Sequence, residues 1–276
     1  MIAVPSKRSY VLPRPRLWRV TILAAAAIFF IGPLLACVKY SLVELNGSYG
    51  LGNYTKIVTS GPLRASLFSS LMIAACAAVA VVLLLLPTVV FVRLRMPKLT
   101  AALELVTVLP IVMPPIVLAT GLEQLQGSAP RWLVSLWFNH ALTGLTPVYV
   151  IMALPFSYRA LDTGVRAIDL RTLVDAARSL GASWAVTAVR VILPNIQTAV
   201  LGAMFLTVAL CLGEVVIATV MLYTTLPAEM IEVGQNGGSG TSVALSIVSI
   251  VFVFMLLFSI SLIARHGRGV RPVRVI

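Results

Sequence analysis

Charged side chains are scarce in this sequence, and acidic ones are the scarcest. Only 11% of the 276 residues are charged, with nine Asp or Glu, whereas 59% are hydrophobic and the mean hydropathy is +1.01. A water-soluble domain of this length needs far more charge to cover its core. A disordered chain would be polar and poor in hydrophobic residues, which is the reverse of this composition. The composition therefore indicates a protein that resides in a lipid bilayer.

Residues that build disulfides and metal sites are also few. The three cysteines, Cys37, Cys76 and Cys211, lie inside hydrophobic runs without CxxC spacing, and we expect them to be small buried residues. The two histidines, His140 and His266, lie in separate connections. The sequence thus indicates no disulfide framework, no metal site and no histidine-based catalytic pair.

Six stretches with at most one charge are long enough to cross a bilayer as helices, which takes about 20 residues each. Alternating β-barrel patterning is absent, so helices are the way to satisfy the backbone in lipid. We therefore predict an all-α integral membrane protein with six transmembrane helices. Their approximate cores are residues 20–38, 67–92, 105–122, 141–158, 195–222 and 242–264.

The distribution of Lys and Arg predicts the orientation of these helices, because basic residues are retained on the cytoplasmic side. Seventeen lie before the first helix or after the second, fourth and sixth, whereas four lie on the opposite side. Both termini should therefore be cytoplasmic. The same distribution accounts for the net charge of +12, and we do not expect nucleic-acid binding.

The connection between the fourth and fifth helices, residues 159–194, is too polar to enter the membrane and too long for a simple hairpin. Asp169 can cap a first short helix, Gly181 can end it, and Ser183 can cap a second one that runs toward Pro194. Such a helical pair suits a groove on a partner protein, and anionic lipid headgroups are an alternative surface for it. The hydrophobic face of the first helix is predicted to comprise Leu173, Val174, Ala177 and Leu180.

This connection also contains a motif. The sequence DAA at 175–177 is followed after three residues by Gly181, and after nine more by VILP at 191–194. The arrangement resembles the EAA signature of binding-protein-dependent ABC importer permeases at every spacing. Asp175 stands where the signature usually has Glu, and Val191 where it usually has Ile, and both replacements keep the charge or the shape.

The resemblance extends over roughly residues 65–264, and other segments fit the spermidine/putrescine branch of the family. These segments are the prolines at 110, 114 and 115 with Gly121, the triplet Leu212-Gly213-Glu214, and the run at 158–162. The prolines have an alternative explanation as kinks packed against neighbouring helices. We expect residues 1–64 to form a cytoplasmic segment, the first helix and an external loop, 65–264 the permease domain, and 265–276 a basic tail.

The resemblance implies a transport subunit in the prokaryotic inner membrane rather than an enzyme. Such a permease works with a dimer of cytoplasmic ABC ATPases, a second permease subunit, expected to be related but not identical, and an extracytoplasmic substrate-binding protein. The implied substrate is a polyamine, with thiamine, ferric iron or an aminoalkylphosphonate as alternatives. The residues implied in coupling to the ATPase are Asp175, Ala176, Ala177, Gly181, Leu193 and Pro194.

No cofactor is expected on this chain, and ATP and Mg²⁺ would bind to the partner ATPase. None of the four lysines follows a glycine, so the chain contains no Walker A loop. A secondary carrier driven by ions would need its own coupling groups and usually has repeated halves. A membrane enzyme would need clustered catalytic groups. Neither feature is evident in the sequence, and the ion-coupled carrier is kept as the alternative class.

Glu214 is the one acid deep within a predicted span, where an ionisable group is costly unless it has a partner. Three interpretations remain open: it lines the pathway and attracts a cation, it pairs structurally with a basic or hydrogen-bonding group, or it is protonated in a packed interface. Glu104, near the cytoplasmic end of the third span, is expected to pair with Arg93, Arg95 or Lys98.

Overall fold

The computed structural model of the chain describes residues 17–44 and 46–267. Within this part the chain forms helices joined by turns, with one isolated β-bridge between Val43 and Tyr49 and no strand. The predicted all-α fold is therefore confirmed. The basic segment before residue 17 and the predicted tail from residue 268 onward lie outside the described residues.

The helices of the described residues run from 3 to 35 residues in length, so only some of them can cross a bilayer. A 3₁₀ turn at Pro97–Leu99 and a π-helical segment at Ala188–Ile192 accompany them. The α-helices are α1 (Leu17–Ser41), α2 (Gly52–Thr59), α3 (Gly61–Arg95), α4 (Thr100–Val112), α5 (Pro115–Ser128), α6 (Arg131–Trp137), α7 (Ala141–Arg166), α8 (Leu170–Ser179), α9 (Trp184–Thr187), α10 (Leu193–Asn195), α11 (Gln197–Gly213), α12 (Val216–Val220), α13 (Leu226–Gln235) and α14 (Ser239–Gly267).

Four of these helices, α1, α3, α7 and α14, are long and hydrophobic enough to cross a membrane without a break. They contain the predicted first, second, fourth and sixth spans. Two bent pairs of helices raise the number of candidate spans to six if each pair crosses the membrane as one unit. The candidate spans without a break are Trp18–Ser41, Gly61–Arg95, Ala141–Arg166 and Ser239–Ser259.

The predicted third span is bent sharply in its middle. Helices α4 and α5 meet at 88°, because Met113 and Pro114 have extended backbones with ψ angles of 122° and 137°. A residue that precedes proline is disfavoured in the helical region, and both of these residues precede one. The bend at Pro114 and Pro115 agrees with the alternative explanation of the prolines as kinks, whereas Pro110 lies inside α4, and the span is not continuous.

The predicted fifth span is interrupted at both ends. The segment Trp184–Asn195 meets α11 at 80°, and Ile196 between them lies outside helical geometry. At the other end, α11 stops at Gly213, and Glu214 is extended with φ −85° and ψ 124° before α12 begins. A continuous helix over residues 195–222 is therefore wrong, because the Glu214 side chain bonds to the backbone that an unbroken helix would pair internally.

Helices α3, α7 and α11 pack pairwise against one another and form the centre of the structure. Val81, Leu161 and Ala203, one from each helix, are fully buried in their common core. This core also holds Ile196, next to the 80° bend. The connection between α7 and α11 and the three central helices thus share one hydrophobic core.

Helix α1 lies at the edge of the molecule. It packs mainly against α14, and residues 18–40 include no buried residue. Cys37 on this helix is exposed and Cys76 is half-buried, so the expected burial of the cysteines holds only for Cys211. For Cys37 the physical reason is that a hydrophobic helix at the edge of the structure has no protein neighbour on most of its surface.

Candidate functional site

The connection between α7 and α11 folds as two short helices, as predicted, and the first begins at the predicted cap. Asp169 accepts hydrogen bonds from the Thr172 hydroxyl at 2.7 Å and from the Thr172 backbone N–H at 3.3 Å. The bond from the Thr172 hydroxyl has the larger effect and the bond from the N–H the smaller one. Together they hold the pKa of the exposed Asp169 carboxyl below its ordinary value. Helix α8 therefore starts at Leu170 with a satisfied N-terminus.

Gly181 ends α8 in the predicted way. Its φ angle is +82°, and its N–H donates to the Arg178 carbonyl at 2.9 Å while the Ala182 N–H donates to the Ala177 carbonyl at 3.1 Å. This pair of bonds is a Schellman motif, which needs a residue in the left-handed region. Ser183 then accepts a bond from the Val186 N–H at 3.3 Å and caps α9. The local hydrogen bonds thus fix the angle between α8 and α9.

One face of α8 contacts the rest of the chain. Leu170, Val174 and Ala177 are buried, and α8 packs against the π-helical segment. Leu180 was expected on this face but is 89% exposed. The reason is that α8 ends at Ser179, so the turn at Gly181 directs the Leu180 side chain away from the helix axis that the periodicity assumes.

The six residues implied in coupling fall into two groups. Asp175 and Ala176 on α8 and Gly181 after it are exposed, whereas Ala177 is turned toward the chain itself. Leu193 and Pro194 lie at the other end of the connection, before the 80° bend into α11. The residues implied in coupling are thus divided between α8 with its final turn and the entry to α11; they are Asp175, Ala176, Ala177, Gly181, Leu193 and Pro194.

An ion cluster joins α3 to α7 next to the start of this connection. The buried Asp162 accepts a hydrogen bond from Arg93 Nε at 2.7 Å and a further short one from the same guanidinium. Arg166 Nε lies 2.8 Å from the other Asp162 oxygen. Arg93 therefore pairs with Asp162. The expected ion pair of Glu104 with Arg93, Arg95 or Lys98 is absent, and Glu104 makes no ion pair within residues 17–44 and 46–267.

The pairing of Asp162 with Arg166 was visible in the sequence as a spacing of four residues on one helix. The pairing with Arg93 had no such signal, because the two residues are 69 positions apart. Of the three aspartates in this region, Asp169 is a cap and Asp175 is exposed. Asp162 alone is a buried structural ion, and it belongs to the run at 158–162 that resembles the family branch.

Glu214 occupies the break between α11 and α12 and is buried, with 8% of its surface exposed. Its Oε1 accepts a hydrogen bond from the Ile217 backbone N–H at 3.0 Å, and its Oε2 accepts one from the Tyr149 hydroxyl at 3.0 Å. Both carboxylate oxygens thus have partners. Among the three interpretations of Glu214, this geometry favours structural pairing with a hydrogen-bonding group.

The surroundings of Glu214 combine the two broken spans. Helix α12 packs against α5, and Ala119 of α5 belongs to the same buried cluster as Tyr149, Ile217 and Ala218. The two segments that follow the breaks at Pro114 and Glu214 are therefore neighbours. No group of three or more His, Cys, Asp or Glu side chains suited to a metal ion occurs in the part of the chain that the structure describes.

Known proteins resemble this chain over most of its length. Residues 90–268 match the family model described as "Binding-protein-dependent transport system inner membrane component". A putrescine transport system permease protein of Escherichia coli, PotI, is 28% identical over 229 residues, with 76% of this chain and 77% of PotI covered.

Two further relatives have related names. An ABC transporter permease protein of Sinorhizobium fredii, y4fN, is 32% identical over 207 residues, with 69% of this chain and 35% of that protein covered. A Salmonella paratyphi A protein, PhnV, whose name assigns it to 2-aminoethylphosphonate transport, is 26% identical over 248 residues, with 87% of this chain and 91% of PhnV covered. The region that matches the family model, residues 90–268, includes the connection between α7 and α11 and the break at Glu214.

Proposed function

The chain belongs to the family of binding-protein-dependent transport system inner membrane components, and we propose that it forms half of the translocation pathway of an ATP-driven importer. A second permease subunit, related but not identical, supplies the other half. A dimer of cytoplasmic ABC ATPases binds ATP and Mg²⁺ and hydrolyses the ATP. An extracytoplasmic binding protein delivers the substrate.

The observation that carries this proposal is that an unbroken series of packed helical segments connects α8 with Glu214. Helix α8 is capped by Asp169, ends in the turn at Gly181 and packs on the π-helical segment. That segment continues through Pro194 into the 80° bend and then into α11, which ends at Gly213, directly before Glu214. A force on α8 therefore reaches the interior of the membrane domain through packed helices, as coupling to a separate ATPase requires.

The coupling residues have different parts in this proposal. Asp175, Ala176 and Gly181 are exposed and contact the ATPase, with the small Ala176 allowing close approach. Ala177 is buried and instead holds α8 against the chain. Leu193, packed against the central core, and Pro194 set the direction in which the connection enters α11.

The orientation follows from the basic residues, which are concentrated near the α3 and α7 C-terminal ends and in the α8 region. We place both termini and the connection between α7 and α11 in the cytoplasm. The Arg93–Asp162–Arg166 cluster lies at this end of the bundle. It fixes the two helices from which the coupling connection starts.

For the substrate we propose a polyamine such as spermidine or putrescine, with aminoalkylphosphonates, thiamine and ferric iron as alternatives. Putrescine and 2-aminoethylphosphonate, named for two relatives, both carry a primary amine. Glu214 is suited to attract a cationic amine if movement of α12 or Tyr149 frees one of its oxygens. In the present arrangement both oxygens are occupied, so its resting part is structural.

The test is purification of the full chain with the membrane and ATPase subunits that accompany it, followed by ATPase measurements in proteoliposomes with candidate binding proteins. Stimulation by a polyamine-loaded binding protein supports both the class and the substrate. If an ATPase co-purifies but the polyamine-loaded binding protein does not stimulate it, the substrate assignment is contradicted and the assignment to an ATP-driven importer is not. Absence of any bound ATPase contradicts the coupling proposal and favours the ion-coupled carrier.

A further inference from the structure

An open groove runs between the C-terminal half of α3 and the segment that continues from α9 into the π-helical turns. It has a volume of about 590 Å³ and is lined almost entirely by hydrophobic side chains. Phe91 of α3 is 56% exposed and Trp184 of α9 is 43% exposed at its rim. Its floor includes Val90 and Ile192, which are buried. The groove therefore offers a hydrophobic trough on the outside of a membrane helix.

A second cavity of about 430 Å³ continues this groove toward α8. The two cavities share Leu94, Arg95 and Trp184 as lining residues. The second cavity differs in its charge, because Arg95, Arg171 and Arg178 line it with Asp175 as the one acid. The trough is thus hydrophobic along α3 and cationic where α3 meets α8.

We call the second cavity the mouth of the groove. Its three arginines have N–H donors that are free to bind a ligand. Within the described residues none of the three makes an ion pair, and Asp175 does not pair with any of them. Arg178 donates to the Ala182 carbonyl at 2.9 Å and lies over the Trp184 ring at 5.7 Å, which holds its charge at the edge of the groove. A planar guanidinium binds phosphate oxygens through paired donors, so the mouth is suited to a phosphate.

We infer that this groove binds an anionic phospholipid of the cytoplasmic leaflet, with an acyl chain along Phe91 and the headgroup phosphate at Arg95, Arg171 and Arg178. The inference rests on the orientation proposed above. Charge complementarity and the position of the hydrophobic part on a spanning helix favour a lipid, because basic pockets at the cytoplasmic ends of membrane helices attract anionic headgroups. The bound lipid joins the end of α3 to α8 and so makes the position of α8 sensitive to lipid composition.

The test measures quenching of Trp184 fluorescence by brominated lipid in nanodiscs that contain the full chain. Trp18, Trp132 and Trp137 are replaced by Phe, so that Trp184 is the remaining fluorophore. Brominated phosphatidylglycerol and brominated phosphatidylcholine are each titrated over the same range of mole fractions. We expect half-maximal quenching at a several-fold lower mole fraction of phosphatidylglycerol. Equal quenching by both lipids overturns the inference.

Two matched pairs of variants separate headgroup binding from acyl-chain binding. Arg95→Gln should raise the half-quenching mole fraction of phosphatidylglycerol about fivefold, whereas Lys98→Gln removes the same charge three residues away, outside the lining, and should not. Ala188→Phe fills the groove and should abolish the lipid preference, whereas Val189→Phe on the neighbouring exposed position should preserve it. Equal effects within either pair contradict the site.

A competing occupant of the mouth is a segment of the ATPase. If Arg95→Gln leaves the lipid preference intact but reduces ATPase co-purification, the mouth binds protein and the lipid inference fails. The quenching assay contains no ATPase, so its result is independent of the proposed transport function. Loss of ATPase binding in the unsubstituted chain would contradict that function without affecting the quenching result.

Discussion

The Tyr149 hydroxyl donates a 3.0 Å hydrogen bond to Oε2 of Glu214, and this bond ties the middle of α7 to the break between α11 and α12. The other Glu214 oxygen accepts from the Ile217 N–H, also at 3.0 Å. The carboxylate thus replaces the backbone pairing that the break removes. The bond therefore fixes the position of the break relative to α7.

Tyr149→Phe should therefore destabilise the chain, because one buried oxygen of Glu214 loses its donor. The expected decrease in the free energy of unfolding is about 1–3 kcal/mol, measured by denaturation of the purified chain in detergent. Glu214→Gln is the matched control, since its amide oxygen can accept from Ile217 and its amide N–H can donate to the Tyr149 oxygen. A Phe variant as stable as the original would contradict the structural part assigned to this bond.

The same glutamine variant tests the pathway interpretation of Glu214. If Glu214→Gln assembles with its ATPase but transports a cationic substrate poorly, the carboxylate charge acts in translocation. If both assembly and transport stay normal, Glu214 is structural only. Uptake into proteoliposomes, normalised to the amount of assembled complex, distinguishes these outcomes.

A second prediction concerns the ion cluster at Asp162. Asp162→Asn leaves the partly buried Arg93 without a charged partner, so we expect a loss of about 1.5–3 kcal/mol in the free energy of unfolding. Glu104→Gln is the control, since Glu104 is exposed and without an ion pair among the described residues, and its effect should stay within about 0.5 kcal/mol. The opposite ranking would restore the pairing of Glu104 with Arg93 that the sequence suggested.

The features that the sequence predicted correctly depend on neighbouring residues. The Asp169–Thr172 cap, the Ser183–Val186 cap and the turn at Gly181 each involve bonds between residues at most five positions apart. Capping and turn chemistry act at this range, so a sequence pattern contains all the participants. The four uninterrupted spans follow in the same way from local hydrophobicity.

The features that the sequence could not predict depend on distant pairs. Tyr149 and Glu214 are 65 positions apart, and Arg93 and Asp162 are 69 apart. Nothing in the composition of α11 indicates that the helix ends at Gly213, because the Tyr149 hydroxyl that bonds Glu214 belongs to another helix. The exposure of Leu180 was missed because helical periodicity was extended past the residue where α8 stops.

The cap of α8 should make the connection sensitive to acid. The pKa of Asp169 is lowered in the folded chain by its bonds to Thr172, so its contribution to α8 is fully present above the ordinary aspartate pKa of about 3.9. The contribution is lost as the pH falls through the lower folded pKa. Hydrogen exchange of the α8 amides should therefore show increased opening below about pH 4.

Asp169→Asn provides the control for this titration. The amide oxygen can still accept the Thr172 N–H bond, but it does not titrate. The α8 amides of this variant should show no extra opening over the same pH range. Parallel behaviour of the two chains would mean that another group is responsible for the acid sensitivity.

The turn at Gly181 allows the most direct test of coupling. Its φ of +82° lies in the left-handed region, and a Cβ there would meet open space, so the cost of a substitution is conformational rather than steric. Gly181→Val should strain or unravel the end of α8, because β-branched residues rarely adopt this conformation. Gly181→Asn should be tolerated, since asparagine enters the left-handed region more readily.

We therefore expect Gly181→Val to reach the membrane in normal amounts but to lose ATPase co-purification, while Gly181→Asn keeps most of it. If the ATPase packs so closely on Gly181 that no side chain fits between them, both variants should instead fail, because both add a side chain to the exposed turn. Ala177→Asp should resemble the valine variant, because it places a charge on the buried face of α8. Normal transport by Gly181→Val and Ala177→Asp would remove α8 from the coupling path, since both variants disturb the geometry on which that path depends.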